Sequence, residues 1–355
     1  MAKRKTFSIK DIARESGASL TTVSFVLNGR DHRISEATRR RVLDTANRLG
    51  YRPSRLAQGL QSRRTRMLAI LVPPLHHTFA DVYFGELISA VHDHATRTGY
   101  RILLEVAHGD FLKTRQHLEL FDRAFVDGML GIGVTNRDTY LSDFEDGERP
   151  LVVVNNHLPD LKLNFVRSDY AQAGRMAAQY LIGLGHRRIG HIRGATEVQT
   201  TWDFRAGAET ALREAGLDLP DTRVVDGLLT EEGGEAAAVE LLRRDAGVTA
   251  ILAGNDKMAI GAIAGIKHTG RRVPADVSVV GCDDLHHAAF SDPPLTTVHT
   301  PLYEVGRQAC QRLLELVNGE VEQVADVQPV SLTIRESAAP VSTTPGAKPK
   351  RTSAR

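Results

Sequence analysis

The sequence predicts a small helical domain at the N-terminus, followed by a larger α/β domain built on a parallel sheet. The charge is unevenly placed: residues 1–66 hold 16 lysines and arginines against 5 acidic residues, so they carry +11, and the rest of the chain carries −9 of the total of +2. From residue 66 onward, short apolar runs alternate with amphipathic stretches. That alternation is typical of strands and helices in a parallel sheet that is covered on both faces.

The composition excludes several classes of protein. The 355 residues are enough for two or three domains, and no apolar run is long enough to span a membrane. The basic N-terminus leads into no apolar segment, so we do not expect a secretory signal. Cys282 and Cys310 form no motif, which favours a reducing, cytoplasmic location. The P-loop, GxSxG and HExxH motifs are missing, so we expect neither an enzyme nor a cofactor.

Two short helices are predicted in the basic segment. Ser8 is a favourable N-cap for "IKDIARESG", and Gly17 ends that helix. A second helix lies in "SLTTVSFVLNGR", residues 19–30, and a tight turn joins it to the first. The apolar residues that fall on one face are Ile9, Ile12 and Ala13 in the first helix and Val23, Val26 and Leu27 in the second. This arrangement is a helix-turn-helix.

A third helix completes the predicted head. Ser35 caps "EATRRRVLDTANRLG" and Gly50 ends it. The residues expected to face inward are Val42, Leu43 and Leu49. Three small helices with a shared apolar core are enough for a small independent domain.

The helix-turn-helix makes double-stranded DNA the expected partner of the head. In such a motif the second helix lies in the major groove, and its N-terminal residues contact base edges. The candidates for base contacts are Leu20, Thr21 and Thr22. The candidates for phosphate contacts are Ser19, Ser24 and Asn28. The alternatives are a basic solvated arm and a solvated helix in an ordinary bundle.

Two stretches of the head, "SIKDIARESGASLTTVSFVLNG" and "ISEATRRRVLDTANRLGYRPSRLAQGL", resemble the DNA-binding head of the LacI/GalR family of bacterial transcription regulators. The resemblance implies a DNA-binding domain over residues 1–52 and a hinge over residues 53–65 that becomes helical on operator DNA. It also implies that Ala57 pairs with the hinge of a second subunit and that Leu60 enters the minor groove and kinks the duplex. On the sequence alone, Leu60 is equally well a linker or core leucine.

Phe25 departs from the family's pattern, which usually has arginine or another polar residue at this position. Phenylalanine cannot make the bidentate bond by which arginine recognises guanine. It is expected either to contact a thymine methyl group or to turn into the core of the head. The preferred DNA sequence is therefore expected to differ from the family's common pattern.

Polar doublets follow three of the predicted strands, and a ligand cleft is expected there. The doublets are Asn155-Asn156, Asn255-Asp256 and Asp283-Asp284. In open α/β sheets, ligands bind outside the carboxyl ends of the strands, and short amide and carboxylate side chains suit hydroxyl or amino groups. The alternative is that these residues cap the helices that follow, Asp256 above all.

The second domain also resembles the family, through "GHRRIGHI", "AILAGNDKMAIGAI" and "RRVPADVSVVGCDDL". The resemblance implies a two-lobed domain like the periplasmic sugar-binding proteins, whose strands cross twice between the lobes and whose effector lies between them. It implies that Asn255 and Asp283 contact the effector, and that helices near residues 82–98 and 256–269 help to form a dimer. The expected domain covers residues 66–338, with a disordered tail over 339–355. The expected lobes are about 66–163 with 294–325, and 164–293 with 326–338.

Phe204 marks a second departure. The family commonly carries an effector-binding arginine three residues before a glycine, but "TTWDFRAGAETAL" has Phe204 at that distance from Gly207. Arg205 is one step away and is expected to point elsewhere. We therefore expect Trp202 or Phe204 to stack on the apolar face of a sugar.

These observations predict a cytoplasmic, dimeric repressor that binds a near-palindromic operator and responds to a small effector. A sugar is the expected effector, with a purine as the less common type in the family. The alternatives are a solute-binding protein of a transport or chemosensory system and a carbohydrate-processing enzyme. No metal is expected, because the histidines that invite one do not face each other on a helix. They are His76-His77, His286-His287, His92 and His94.

Overall fold

The computed structural model describes residues 7–27, 29, 33–51, 64–74 and 81–341. The expectations for Asn28, Ala57, Leu60 and His76-His77 lie outside these residues. The contacts divide the chain into two compact units, with the boundary after Thr65.

The N-terminal unit contains the three predicted helices. They are α1 (Ile9–Ser16), α2 (Leu20–Leu27) and α3 (Glu36–Leu49). α1 and α3 end at Gly17 and Gly50, whose φ angles of 66° and 63° lie in the left-handed region that glycine adopts without strain. The centre of the small core is formed by Ile12, Val23 and Val42, which have no exposed surface. Leu27, Leu43 and Leu49 are only partly buried at its margin.

The second unit contains two lobes, each built on one six-stranded sheet. The strands of the first lobe are β1 (Met67–Val72), β2 (Arg101–Val106), β3 (Gly128–Ile132), β4 (Leu151–Val154), β5 (Asn164–Ser168) and β11 (Ala325–Gln328). They are all parallel, in the order β11-β5-β4-β3-β1-β2. Its helices are α4 (Val82–Arg97), α5 (Gly109–Lys113), α6 (Gln116–Asp122) and α11 (Leu302–Asn318).

The second lobe repeats this plan. Its strands are β6 (Ile189–Arg193), β7 (Val224–Asp226), β8 (Ala250–Ala253), β9 (Ser278–Asp283), β10 (Thr296–His299) and β12 (Ser331–Thr333). The order is β12-β10-β9-β8-β6-β7, and only β12 is antiparallel to its neighbour. Its helices are α7 (Tyr170–Gly183), α8 (Gln199–Glu214), α9 (Glu231–Arg244) and α10 (Asp256–His268). The predicted α/β class with parallel sheets is confirmed.

The expected lobe boundaries need correction. β5 pairs with β4 and belongs to the first lobe, although residues 164 onward were expected in the second. β10 pairs with β9 and belongs to the second lobe, although residues 294–325 were expected in the first. The chain therefore passes between the lobes three times, after β5, β10 and β11, rather than twice. The reason is that β5 and β10 each pair with the strand that precedes them in the chain, so each stays in the sheet of that strand and the chain crosses to the other lobe only afterwards.

The start of the expected tail is also ordered. Ala339 exchanges hydrogen bonds with the side chain of Ser278, at 3.1 and 3.2 Å, and its carbonyl oxygen lies 3.0 Å from His186 Nε2. Val341 N donates to Leu184 O at 3.0 Å. These bonds attach residues 339–341 to the second lobe, and the rest of the expected tail lies outside the described residues.

α7 and α8 pack backbone against backbone in the second lobe. A Cβ atom at Gly174 of α7 would collide with the carbonyl oxygen of Phe204, and one at Gly207 of α8 would collide with that of Ala171. The two glycines therefore let the helices approach closely. This contact fixes the start of α8, which faces the first lobe.

Among the residues that the structure covers, no helix is long and apolar enough to cross a membrane. Cys282 and Cys310 are both buried and both free.

Candidate DNA-reading surface and ligand site between the lobes

The first turns of α2 expose most of the side chains predicted to contact bases. Leu20 is 47% exposed and Phe25 is 44% exposed. Thr21 is exposed and Thr22 is half-buried. Of the two expectations for Phe25, the structure places this side chain on the surface rather than in the core of the head. The surface of α2 thus offers two apolar side chains with a hydroxyl between them.

Ser19 caps α2. Thr22 N donates to Ser19 Oγ at 3.0 Å, and the hydroxyls of the two residues lie 2.8 Å apart. The cap holds the first turn of the helix and uses part of the hydrogen-bonding capacity of Thr22. Thr21 is therefore the better placed of the two threonines for a contact outside the protein. Ser24 is half-buried.

A buried polar network joins the two lobes of the second unit. Asn155 follows β4, and its Nδ2 donates to the hydroxyl oxygens of Tyr83 and Tyr170, both at 3.0 Å. The Tyr170 hydroxyl donates to Asp283 Oδ1 at 3.2 Å. Tyr83 and Asn155 belong to the first lobe, and Tyr170 and Asp283 belong to the second. Two of the predicted ligand residues, Asn155 and Asp283, are thus brought together through two tyrosines.

Burial dominates the electrostatics of this network. It raises the pKa of Asp283 to about 7, because an ionised carboxylate loses its hydration there. It also raises the pKa of the Tyr83 and Tyr170 hydroxyls, so both remain donors at neutral pH. Asn155 and Asp283 have φ angles of 53° and 115°, which non-glycine residues rarely adopt. Strained backbone of this kind is common where side chains are aimed at a ligand.

Two further polar contacts cross between the lobes. Lys257 Nζ of α10 lies 2.5 Å from Asp81 Oδ2, just before α4. Asn136 N, after β3, donates to Glu197 O, before α8, at 2.8 Å. All these residues lie at or beyond the carboxyl ends of strands or at the starts of helices. This is the edge of an α/β sheet at which ligands bind.

A third group at the same edge consists of His157, Arg167 and Asp203. His157 Nδ1 and Arg167 Nη1, from the first lobe, each lie 3.6 Å from Asp203 Oδ2 on α8 of the second lobe. All three side chains are between 16% and 17% exposed. The 3.6 Å separations are too long for hydrogen bonds.

The expectation that Phe204 stacks on a sugar is wrong. Phe204 is 1% exposed and lies in the core of the second lobe. Its ring stacks on buried His191, with ring centroids 5.8 Å apart and 20° between the ring planes. The side chain three residues before Gly207 points into the core here, where an aromatic ring packs more favourably than a charged group.

Trp202 takes part in none of the contacts between the lobes given above. It is 38% exposed, its Nε1 donates to Thr196 O at 2.8 Å, and the Arg193 guanidinium lies 5.0 Å from the ring centroid. It lines a groove of the second lobe beside the edge strand β7, together with Arg205 and Asp221. Arg205 pairs there with Glu209 and Asp221, so it points elsewhere, as predicted.

The other four residues of the three polar doublets make contacts within a single lobe. Asn255 caps α10, since its Oδ1 accepts from Met258 N at 2.8 Å. Asp256, which was the favoured cap, is instead fully buried and accepts from Thr297 Oγ1 and Leu285 N at 2.5 and 2.7 Å. Asp284 pairs with Arg335 at 2.6 Å, and Asn156 Nδ2 donates to Val134 O. Asn255 therefore stays a predicted ligand residue with its side-chain oxygen already engaged.

The sequence did not point to several residues that join the lobes. They are Tyr83, Tyr170, Asp81, Lys257, His157, Arg167 and Asp203. The only signal is positional, since most of them begin a helix or follow a strand. Within the described ranges, no group of three or more histidine, cysteine or acidic residues is placed to hold a metal ion.

Comparisons with known proteins match both units of the chain. Residues 8–54 match the family model described as bacterial regulatory proteins, lacI family. Residues 178–338 match the model of a periplasmic binding protein-like domain.

The relatives and neighbouring structures agree with these matches. The chain is 32% identical, over 92% of its length and 96% of the relative, to the HTH-type transcriptional repressor PurR of Haemophilus influenzae (strain PittEE). It is 31% identical to the transcriptional regulator CelR in its cellobiose complex, with a TM-score of 0.73, covering 94% of this chain and 100% of that one. The structure of the lac repressor dimer bound to operator and an anti-inducer also matches 94% of this chain and 100% of its own chain. Its TM-score of 0.83 at 24% identity shows that the fold is shared.

Proposed function

The chain belongs to the LacI family of bacterial regulatory proteins, and we propose that it is a repressor whose operator affinity depends on a small molecule held between its two lobes. It is a DNA-binding transcriptional regulator, in keeping with its regulator relatives, and not an enzyme. The observation that carries the proposal is the buried network from Asn155 through Tyr170 to Asp283, which links the lobes at the edge where ligands bind. A molecule bound there changes how the lobes close and so couples to DNA binding.

The proposed DNA-reading residues are Leu20, Thr21, Thr22 and Phe25, with Ser19, Ser24 and Asn28 on phosphates. The exposure of Leu20, Thr21 and Phe25 on α2 supports this assignment. The hinge residues Ala57 and Leu60 are proposed from the family resemblance, with Leu60 as the minor-groove wedge.

The DNA-binding part of the proposal is tested by a mobility shift of the full chain on random duplex DNA at 50 and 200 mM salt. The +11 charge of residues 1–66 predicts weak binding that falls steeply with salt, because each neutralised phosphate releases counterions. A solute-binding protein predicts no binding at either concentration, and that outcome would refute the proposal.

Replacing Phe25 with arginine is expected to change which sequence is preferred. The exposed ring favours a thymine methyl group, whereas arginine favours guanine O6 and N7. We expect selection from random duplexes to replace thymine by guanine at one position of each half-site, with a discrimination of about 1–3 kcal/mol. Thr21→Ala serves as a comparison and should relax preference at a different position. An unchanged selected sequence for the Phe25 variant would remove Phe25 from the reading surface.

We propose that the effector is a sugar and that a purine is the less favoured class. The amide, carboxylate and phenol groups of the network suit hydroxyl groups, and the relative with 31% identity is a cellobiose complex. A thermal-shift screen of the full chain against neutral sugars, sugar phosphates and purines tests the class. A ligand at 100 times its Kd adds about 2.7 kcal/mol to the stability of its unit. A shift with purines alone would reassign the effector.

We further propose that the protein is a cytoplasmic homodimer. From the family resemblance, the proposed contact between the two copies is formed by α4 and α10, the helices near residues 82–98 and 256–269. Sedimentation velocity at micromolar concentration tests this, and a monomer at operator-binding concentrations would contradict it.

A further inference from the structure

His157, Arg167 and Asp203 meet between the lobes without completing a hydrogen bond. Asp203 Oδ1 accepts from Gln199 Nε2 at 3.1 Å, but Asp203 Oδ2 has no hydrogen-bond partner in the described part of the chain. The same holds for His157 Nδ1 and Arg167 Nε. Buried polar atoms without partners are uncommon and costly in folded proteins, and three in one cluster call for an explanation.

The three side chains are held in place by other contacts. The Phe165 ring of β5 lies 5.6 Å from the His157 ring and 5.8 Å from the Arg167 guanidinium, measured to the centroid. Arg167 Nη1 also donates to Ser168 O at 3.2 Å. These contacts position the imidazole and the guanidinium on one side, while Gln199 positions the carboxylate on the other. The group is therefore arranged before any ligand binds, which lowers the entropy cost of binding.

The charges of the cluster nearly cancel. Arg167 is a cation and Asp203 an anion, and burial lowers the pKa of His157, so its imidazole is neutral near pH 7. A phosphate or carboxylate group would lie against the Asp203 carboxylate and be repelled. A hydroxyl group both donates and accepts, so it can accept from Arg167 Nε and donate to Asp203 Oδ2 at once. Vicinal hydroxyls would also reach His157.

We propose that His157, Arg167 and Asp203 form a hydroxyl-binding subsite for an uncharged sugar, in which Arg167 of the first lobe and Asp203 of the second hold the same part of the molecule. The subsite rests on the proposed function, since it completes the ligand site beside Asn155 and Asp283. The subsite also accounts for the phenylalanine at position 204, where the family commonly has an arginine. Here the guanidinium that contacts the sugar comes from β5 of the opposite lobe and not from α8. Because the sugar touches both lobes, its binding favours their closure.

A purely structural role is the competing explanation, in which Arg167 and Asp203 only attract the lobes to each other. The two roles differ when the charges are exchanged. An attraction between lobes survives in the double variant Arg167→Asp with Asp203→Arg. A sugar subsite does not, because the long arginine side chain then extends from α8 and the short carboxylate from β5, so neither group reaches the position from which it held the hydroxyl.

The test is calorimetric titration of the full chain with cellobiose, maltose, lactose, trehalose and glucose, and separately with glucose 6-phosphate and hypoxanthine. We expect the wild type to bind at least one neutral sugar. We expect Asp203→Asn and Arg167→Gln each to weaken the binding of that sugar about 10- to 100-fold. This is the range for the loss of a hydrogen bond to a charged group. Arg205→Gln is the matched control, since Arg205 lies on the same helix and pairs away from the cluster, and it should stay within twofold. The charge-exchanged double variant should also bind the sugar weakly.

Each other outcome overturns the subsite. Unchanged sugar affinity in Asp203→Asn, or affinity restored by the exchange, leaves only the structural role. A wild type that binds glucose 6-phosphate or hypoxanthine, or nothing in the panel, refutes an uncharged sugar. The melting temperature of each variant shows whether it has folded. Failure of the proposed function would give a different result, namely a wild type that does not bind DNA.

Discussion

Replacing Asp283 with asparagine is expected to make the two-lobed unit more stable than the wild type at pH 8 but not at pH 4.5. Burial raises the pKa of this carboxyl to about 7, above its value of about 3.9 in the unfolded chain. Between these values the folded state binds a proton that the unfolded state has released, so wild-type stability falls as pH rises. Asparagine carries no charge and still accepts the bond from Tyr170. The difference between variant and wild type should grow by about 3 kcal/mol from pH 4.5 to pH 8.

Urea unfolding of both proteins across this pH range measures the difference. Asp160→Asn is the matched control, because it makes the same replacement at an exposed position. The same asparagine variant should lose the response to sugars, since the carboxylate is a proposed ligand contact. Parallel pH profiles for wild type and variant would show that Asp283 is not buried as described.

Replacing Gly207 with alanine is expected to destabilise the second lobe by about 3 kcal/mol or more. The added Cβ would collide with the backbone carbonyl of Ala171, and a backbone cannot move aside as a flexible side chain can. Overpacking a well-filled interior typically costs about 1–3 kcal/mol, and backbone collisions lie at the upper end or beyond. We also expect weaker sugar binding, because α8 carries Asp203 to the first lobe.

Gly183→Ala in α7 is the matched control for this prediction. A Cβ atom at Gly183 meets no atom within 4 Å, so alanine should be neutral or stabilise the helix by up to about 1 kcal/mol. Thermal melting of the three proteins separates the effects. A Gly207 variant that melts with the wild type would mean that the helices cross at a greater distance.

Local patterns in the sequence predicted the three helices of the head and the parallel-sheet class, but not the lobe to which each strand belongs. The caps Ser8 and Ser35 and the stops Gly17 and Gly50 lie at helix ends as expected. β5 reads as "NFVRS", with polar and apolar residues mixed, and nothing in it shows that β4 rather than the second lobe is its partner.

The site was predictable as a place but not as a set of side chains. Polar residues at strand ends indicated the correct edge of the sheets. The backbones of Asn155 and Asp283 have positive φ angles, and their side chains lie in the network between the lobes. Asn255 has an extended backbone, and its side chain caps α10 instead. Such backbone choices depend on tertiary packing and are invisible in the sequence. Phe204 was misassigned for a similar reason, because its neighbour His191 lies on a strand of the lobe's core.

The central claim is that a molecule between the lobes controls DNA binding. The most direct test measures the affinity of the full chain for its selected duplex by fluorescence anisotropy, with and without a saturating neutral sugar from the titration panel. Coupling between sites is typically 1–3 kcal/mol. We predict that the sugar changes the Kd for DNA about 5- to 150-fold in the wild type and not at all in Asp283→Asn. Sugar binding that leaves the wild-type Kd for DNA unchanged would contradict the claim.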